Sequence, residues 1–393
     1  MKRLALLLLA LTFALPLSAQ SFEHVIIVIQ ENRTPDNLFG ASGLPGGDLQ
    51  IDTKLGKSVT LTTGPHDPPH NHSAYLKQAA GAWTAGEHDY VTGDVQPYWD
   101  LAAQYGWANY MFQTNQGSSY PAHQFLISGT SAPSDTSDLF IRSEPGGRPG
   151  CSAPSGSRAP LIGPNGNAGW IYPCFQRSSL LNLLDAAGLS WRYYSAAGIW
   201  NAPNSLKSYY QSPNLVTNPP RVLTDIANGT LANVSWVTPA SAYSDHPGGG
   251  SGGPAWVASI VNAVGKSAYW ENTAILVTWD DWGGFWDHVT PLVNKTGWCE
   301  EYCYGFRVPF LVISARTPAG YVDNEIHDFG SILRFVENNF SLGLIGPGGW
   351  ADKYADDLSG FFPRGLASRT FVPITARKLT KKELADHGEP DTE

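Results

Sequence analysis

The feature that most constrains the fold of this chain is a set of short, nearly continuous apolar runs rich in Val and Ile. The clearest are residues 22–30 (FEHVIIVIQ), 273–279 (TAILVTW) and 307–314 (RVPFLVIS), and a shorter one is 234–237 (VSWV). Runs of this length without alternation are typical of strands buried on both faces, as in parallel sheets. We therefore expect a sheet covered by helices on both sides.

Helical patterns lie between these runs, at residues 178–187, 254–264 and 328–338. Strands that alternate with helices predict an α/β protein, here a three-layer α/β/α sandwich around a mostly parallel sheet. Residues 20–375 are predicted to form one domain. Two stretches rich in Gly, Pro, Ser and Asn, 130–170 and 195–220, are predicted to be surface insertions, and 376–393 a charged tail.

The first 19 residues have the pattern of a signal peptide: a basic start at Lys2 and Arg3, an apolar stretch, and small residues before a cleavage site. We therefore expect a secreted or periplasmic protein, in which disulfides are permitted. The four cysteines allow three pairings, and Cys151–Cys174 with Cys299–Cys303 joins the nearest neighbours in sequence. A zinc half-site at Cys299 and Cys303 is the alternative.

The charge balance excludes two classes of partner. The chain has 34 acidic and 25 basic residues, a net charge of −9. Sequence-independent binding to nucleic acid and electrostatic docking on anionic lipid both need basic surfaces, so neither is expected. No stable membrane anchor is predicted either, because the apolar stretch at 4–17 is too short to span a bilayer.

Acidic residues follow two of the apolar runs directly. Asp280 and Asp281 come after 273–279, and Glu31-Asn32 come after 22–30. Ligands of open α/β sheets bind at the carboxyl ends of strands, and buried acids need a cationic partner. An all-oxygen set favours Ca²⁺, Mg²⁺ or Mn²⁺, while nearby histidines leave Zn²⁺ or iron open. The alternative is that these residues only form turns and caps.

Ser119 lies at a predicted helix start, since Pro121 follows in the first turn. A helix amino end attracts phosphate, and a serine activated there by a metal can attack phosphorus. The alternative is a plain helix cap. Histidines that could neutralise phosphate or protonate a leaving group are clustered in the sequence: His66, His70, His72, His246, His288 and His327.

Four of these segments together resemble the bacterial phosphoesterase family, which contains secreted phospholipases C and acid phosphatase A within the alkaline phosphatase superfamily. Residues 24–33 and 37–40 (HVIIVIQENR and NLFG) are similar to the family's opening, E-N-R-S-F-D-H-x-F-G. Residues 278–289 (TWDDWGGFWDHV) are similar to its Y-D-E-H-G-G-F-Y-D-H-V, with Trp282 in place of His. Residues 119–123 (SYPAH) resemble its [S/T]-x-P-N-[R/H], with Ala122 in place of Asn, and 331–337 its closing helix.

The resemblance implies an alkaline phosphatase-like fold and a role for each matched residue. Ser119 is the expected nucleophile, and one divalent metal ion is expected on Glu31, Asn32, Asp280 and Asp281. His70, His246 and His288 are expected catalytic residues, with His123 and His327 binding substrate. The expected activity is phospholipase C-like hydrolysis of phosphate esters, including phospholipids, through a phosphoseryl intermediate. The alternatives are an acid phosphatase and a degenerate, non-catalytic secreted binding protein.

Overall fold

A computed structural model describes residues 22–61, 67–292, 302 and 304–386. The predicted signal peptide, His66, the predicted Cys299–Cys303 disulfide and the last residues of the predicted tail lie outside these ranges.

The core is an eight-stranded sheet in the order β13-β4-β12-β11-β1-β10-β8-β9. Its strands are β1 (His24–Gln30), β4 (Gly106–Phe112), β8 (Trp191–Tyr194), β9 (Leu215–Val216), β10 (Val234–Val237), β11 (Thr273–Trp279), β12 (Phe310–Ser314) and β13 (Tyr321–Asp328). Every neighbouring pair runs parallel except those of β12, which is antiparallel to both β11 and β4. The predicted mostly parallel sheet is confirmed.

The apolar runs form the middle of this sheet. Strand β11 is buried at every position, and β1 at every position after His24. A strand whose side chains are buried on both faces has no solvent side to mark with polar residues, which is why these runs do not alternate. The lack of alternation in each run is therefore explained by its position between two helical layers.

Two groups of helices cover the sheet. One group contains α3 and α6, which both contact α7, and the other contains α4, which contacts α5 and α8, with α9 against α8. The α-helices are α1 (Pro35–Phe39), α2 (His72–Ala79), α3 (Gln96–Gln104), α4 (Ser119–Ser128), α5 (Leu180–Ala186), α6 (Arg221–Ala227), α7 (Gly253–Gly265), α8 (Phe329–Asn339), α9 (Ala351–Tyr354) and α10 (Lys381–Leu384). The predicted α/β sandwich is confirmed. Among the described residues, no helix has the length and hydropathy needed to cross a bilayer.

The two predicted insertions are only partly at the surface. Within 130–170, strands β5 (Phe140–Ile141), β6 (Ala159–Gly163) and β7 (Gly166–Ile171) form a separate antiparallel sheet in which β5 and β6 are buried. The predicted disulfide between Cys151 and Cys174 is present. Within 195–220, a 3-10 helix (Ala202–Ser205) contacts α4. The second segment therefore packs on the helix that begins at Ser119.

The other small elements are a two-stranded parallel pair, β2 (Ser58–Val59) with β3 (Tyr90–Val91), and four further 3-10 helices among the described residues. These helices are Ala85–His88, Ser241–Tyr243, Trp270–Asn272 and Ser359–Phe361. Within the predicted tail, α10 is capped by Thr380, and Asp386 accepts a hydrogen bond from the Ala242 backbone at 2.9 Å. The described part of the tail is thus attached to the domain.

Candidate active site

The carboxyl ends of β1 and β11 bring the predicted acidic residues together. The two strands are parallel neighbours with Gln30 opposite Trp279, so Glu31 and Asp280 leave the sheet side by side. The ladder continues past the strands, because the Asp280 N–H donates to Gln30 O at 2.9 Å and the Arg33 N–H donates to Asp281 O at 3.1 Å. Parallel pairing in register therefore fixes the relative position of the four residues predicted to bind a metal.

Asn32 has a backbone conformation that is unusual for a residue with a side chain, with φ of 59°. Its N–H donates to Asp280 Oδ1 at 3.0 Å, which ties the end of β1 to the end of β11. Gly283 approaches the same turn, and a Cβ there would collide with the carbonyl of Asn32. Backbone strain of this kind is retained where the surrounding structure fixes it, often at functional sites.

Ser119 is the first residue of α4 and is fully buried. Its hydroxyl lies within hydrogen-bond reach of two of the predicted metal ligands, 3.2 Å from Asp281 Oδ2 and 3.4 Å from Asn32 Oδ1. The predicted nucleophile and the predicted ligands therefore meet in one place. We call Glu31, Asn32, Ser119, His123, Asp280 and Asp281 the Ser119 cluster.

His123 joins this cluster from one helical turn beyond Ser119, because residues four apart share a helix face. Its Nε2 lies 3.2 Å from Glu31 Oε1 and 3.7 Å from Asp280 Oδ2. Burial lowers the pKa of His123 to about 4, against the opposing charge of Asp280. The imidazole is therefore neutral at pH 7, the form in which histidine binds metal ions.

The Ser119 cluster fits a divalent cation. Donor atoms of Glu31, His123 and Asp280 lie within 4.8 Å of one another. Asp280 Oδ2 is buried without a hydrogen bond, and no Lys or Arg forms an ion pair with Asp280 or Asp281 in the described parts of the chain. Burial and the neighbouring Asp280 raise the pKa of Asp281 well above its usual value. Oxygen donors with this uncompensated charge suit a hard divalent ion.

His70 and His246 lie beside the cluster. His70 Nδ1 is 2.7 Å from Pro68 O, which can only accept, so Nδ1 carries the proton and Nε2 accepts from Asn32 Nδ2 at 2.9 Å. His246 Nδ1 is likewise 2.8 Å from Pro247 O. The two rings are 6.2 Å apart. The structure thus places two of the three predicted catalytic histidines together, with His70 Nε2 bonded to Asn32 and His246 anchored through Nδ1.

Two tryptophans pack against these histidines. The Trp282 ring lies 6.2 Å from that of His70, and its Nε1 donates to Gln78 at 2.8 Å, so the residue that departs from the family pattern supports His70. The Trp200 ring lies 6.5 Å from His123 and 6.0 Å from His246. Trp200 was not predicted to be a site residue, because it lies in a Gly- and Asn-rich segment that carries no motif.

Glu144 is another residue near Ser119 that the sequence did not indicate. Its Oε1 accepts hydrogen bonds from Ser118 Oγ and from the Tyr120 N–H, both at 2.8 Å. These two donors flank Ser119 in the chain. Glu144 follows β5 in a segment rich in Gly and Pro, and nothing in its local sequence signals a contact with α4.

His288 and His327 are not brought into the Ser119 cluster. His288 Nδ1 lies 2.7 Å from Asp36 Oδ2, and Nε2 lies 3.1 Å from Asp48 Oδ1. His327 lies 3.7 Å from Asp323 and 3.2 Å from Asp356. The opposite charges near each imidazole explain these placements, and the contacts of neither residue support its predicted role on phosphate.

His288 belongs to a second group of buried charges, which we call the Arg307 cluster: Asp36, Asp287, His288 and Arg307. The Arg307 guanidinium donates to both carboxylate oxygens of Asp287, at 2.8 and 3.1 Å, and lies 3.5 Å from Asp36. This bidentate contact satisfies the acids without a metal ion.

Residues 22–343 match the phosphoesterase family, and the chain belongs to this family. The family membership predicted from residues 24–40 and 278–289 is therefore confirmed.

Relatives of this chain include bacterial phospholipases C. The chain is 26% identical to a non-haemolytic phospholipase C from Pseudomonas aeruginosa, over 86% of this chain and 57% of that protein. It is 24% identical to phospholipase C A from Mycobacterium tuberculosis, over 86% and 77% of the two chains. The chain thus spans little more than half of the length of the Pseudomonas relative. A solved structure from Vibrio parahaemolyticus, a protein in the alkaline phosphatase superfamily, matches 87% of this chain and 71% of its own with 10% identity and a TM-score of 0.42.

Proposed function

We propose that this chain is an exported, metal-dependent hydrolase of phosphate esters that acts through a phosphoseryl intermediate. The observation that carries the proposal is the meeting of a buried serine hydroxyl with buried carboxylates that no Lys or Arg among the described residues compensates. Membership of the phosphoesterase family supports the reaction class. The signal-peptide pattern of residues 1–19 supports export.

The residues that would hold the ion are Glu31, Asn32, Asp280 and Asp281. The donor atoms of Glu31 and Asp280 also lie within 4.8 Å of the neutral His123. A bound divalent ion would supply positive charge next to the Ser119 hydroxyl and the phosphate oxygens, which favours the ionised serine. Asp281 Oδ2 lies 3.2 Å from Ser119 Oγ and is placed to receive its proton. The Ser119 Oγ–P bond then forms as the bond from phosphorus to the leaving oxygen breaks.

The leaving alkoxide needs a proton, and His246 is the better placed of the two histidines to give it. His70 Nε2 is held by the Asn32 side chain at 2.9 Å, whereas His246 contacts the structure through Nδ1 at 2.8 Å. His246 protonated on both nitrogens donates from Nε2, and the neutral ring then takes a proton from the water that attacks the phosphoserine. As the Oγ–P bond breaks, Asp281 returns its proton to Ser119 Oγ, which restores both groups. His123, with its pKa lowered to about 4 by burial, is unsuited to this role.

The proposed substrate is a phosphodiester with a lipid leaving group, since the relatives from Pseudomonas aeruginosa and Mycobacterium tuberculosis are named phospholipases C. The test is hydrolysis of p-nitrophenyl phosphorylcholine and p-nitrophenyl phosphate by purified protein, with and without chelator. Chelator-sensitive release from the diester supports the proposal, and preference for the monoester indicates a phosphatase. Failure to hydrolyse either, with metal added and the fold intact, would favour a non-catalytic binding protein.

A further inference from the structure

The amino end of α4 lacks the cap that its sequence provides. Ser118 occupies the N-cap position, but its side chain makes no capping hydrogen bond to the helix. Its hydroxyl donates instead to Glu144 Oε1, which also accepts the Tyr120 N–H. A carboxylate from a distant loop therefore satisfies a free N–H of the first turn, a position where negative charge is favourable.

Core packing, rather than this carboxylate, holds most of the helix. All ten residues of α4 are buried, and its apolar side chains Phe125, Leu126 and Ile127 belong to the main hydrophobic core. The contact with Glu144 is confined to the first turn, on either side of Ser119. What it controls is the position of the serine relative to Asp281 and Asn32, which lie 3.2 and 3.4 Å from the hydroxyl.

We propose that Glu144 is a positioning residue that holds Ser119 in line for attack by capping α4 from outside the helix. The inference rests on the proposed nucleophilic role of Ser119. Glu144 acts as an acceptor of two hydrogen bonds, so a side-chain amide, whose oxygen also accepts two, can replace it. A misplacement of about 1 Å at a reacting atom can reduce the rate about 100-fold.

The chain offers a control in Asp135, whose carboxylate contacts the residue that precedes the N-cap of another helix. Its carboxylate accepts the Ser178 N–H at 2.7 Å and the Ser178 hydroxyl at 2.8 Å, next to the start of α5. Helix α5 carries none of the residues of the Ser119 cluster. Loss of either carboxylate should loosen the chain next to a helix start, but only one of these helices carries the nucleophile.

The experiment measures kcat, KM and thermal unfolding for the wild type and for Glu144→Ala, Glu144→Gln, Asp135→Ala and Ser119→Ala, with p-nitrophenyl phosphorylcholine and saturating metal. We expect Glu144→Ala to lower kcat about 10- to 100-fold with KM changed less than about threefold. Glu144→Gln should restore most of kcat. Asp135→Ala should lower the unfolding temperature like Glu144→Ala but keep the wild-type kcat.

Three results would overturn the inference alone: wild-type kcat in Glu144→Ala, an equal loss of kcat in Asp135→Ala, or no rescue by Glu144→Gln. An inactive wild type, or a Ser119→Ala variant as active as the wild type, would instead overturn the proposed function and the role of Glu144 with it.

Discussion

The Ser119 cluster and the Arg307 cluster are both groups of buried acids and a histidine, yet they differ in how their charge is balanced. Both contain donor atoms within 4.8 Å of one another, a spacing that suits a metal ion. In the Arg307 cluster, the guanidinium contacts Asp287 through two nitrogens, at 2.8 and 3.1 Å. Asp280 and Asp281 have no such partner among the described residues. Metal-ligand spacing alone therefore does not separate the two, whereas the presence of an internal cation does.

The cation also changes what each group of acids does to the fold. Burial opposes the charge of Arg307, but Asp287 and Asp36 outweigh it and raise the pKa of the guanidinium. In the Ser119 cluster, burial and a neighbouring acid raise the pKa of Asp281, so its charge is unfavourable without an external cation. Burial nevertheless raises the pKa of Asp287 to about 6, so Arg307 offsets only part of the cost of burying that acid. The internal cation thus reduces the cost in one cluster, whereas the other has no such cation among the described residues.

The largest expected effect is on catalysis. Ser119→Ala should lower kcat/KM by about 1,000-fold or more, since it removes the group that forms the covalent intermediate. Thermal unfolding should change little, because the substitution removes one small hydroxyl whose hydrogen bonds to Asp281 and Asn32 are long, at 3.2 and 3.4 Å. Rates and unfolding curves measured on the same preparation check this, and hydrolysis that survives the substitution would contradict the assignment of the nucleophile.

The largest expected effect on stability is in the Arg307 cluster. Arg307→Met should lower the free energy of unfolding by about 3–5 kcal/mol, because it leaves Asp287 and Asp36 buried without their cation. Adding Asp287→Asn to Arg307→Met should recover part of this loss. Urea denaturation of the single and double variants measures the coupling, and strictly additive losses would show that the ion pair does not balance these acids.

Neutralising one acid in each cluster should have opposite effects in metal-free protein. Asp281→Asn should raise the free energy of unfolding at pH 7 by about 1 kcal/mol, because it removes an uncompensated buried charge. Asp287→Asn should lower it by about 2 kcal/mol, because it weakens the contact with Arg307. Chelator-treated samples compared by urea denaturation test both signs, and a loss of stability in Asp281→Asn would contradict the comparison.

The smallest effect concerns the pH dependence of the Arg307 cluster. Burial opposes the charge of His288, but the hydrogen bond and charge of Asp36 outweigh it, so the pKa of His288 is raised. Because the pKa is raised on folding, the charged imidazole stabilises the fold fully below its pKa in the unfolded chain, about 6.5. This stabilisation is lost as the pH rises through its pKa in the folded chain. The free energy of unfolding of the wild type should therefore exceed that of His288→Gln by about 1 kcal/mol near pH 6. This difference should shrink at higher pH. A difference that widens as the pH rises would contradict this.

The parts that the sequence predicted are those with local signals. Strand β11 has the predicted bounds, Thr273–Trp279, because continuous burial leaves a continuous apolar run. The meeting of Glu31 with Asp280 followed from parallel strands ending at one sheet edge. Ser119 begins its helix where the following Pro121 indicated.

The parts that the sequence did not predict depend on contacts between distant segments. Trp200 and Glu144 come from segments whose composition indicated surface loops, and only the fold brings them to α4 and the histidines. His288 is next to Asp287 in a motif that resembles the family's site, but its two ring nitrogens contact Asp36 and Asp48, which lie 252 and 240 residues earlier in the chain. A charge partner at such a distance leaves no pattern in one sequence.

The most direct test of the difference between the two clusters is a calorimetric titration of chelator-treated protein with Ca²⁺, Mg²⁺, Mn²⁺ and Zn²⁺, on the wild type, Asp281→Asn and Asp287→Asn. We expect one divalent ion per wild-type chain, retained in Asp287→Asn and lost or much weakened in Asp281→Asn. No binding to the wild type, or binding that Asp287→Asn abolishes and Asp281→Asn leaves unchanged, would contradict the assignment of the Ser119 cluster as the metal site.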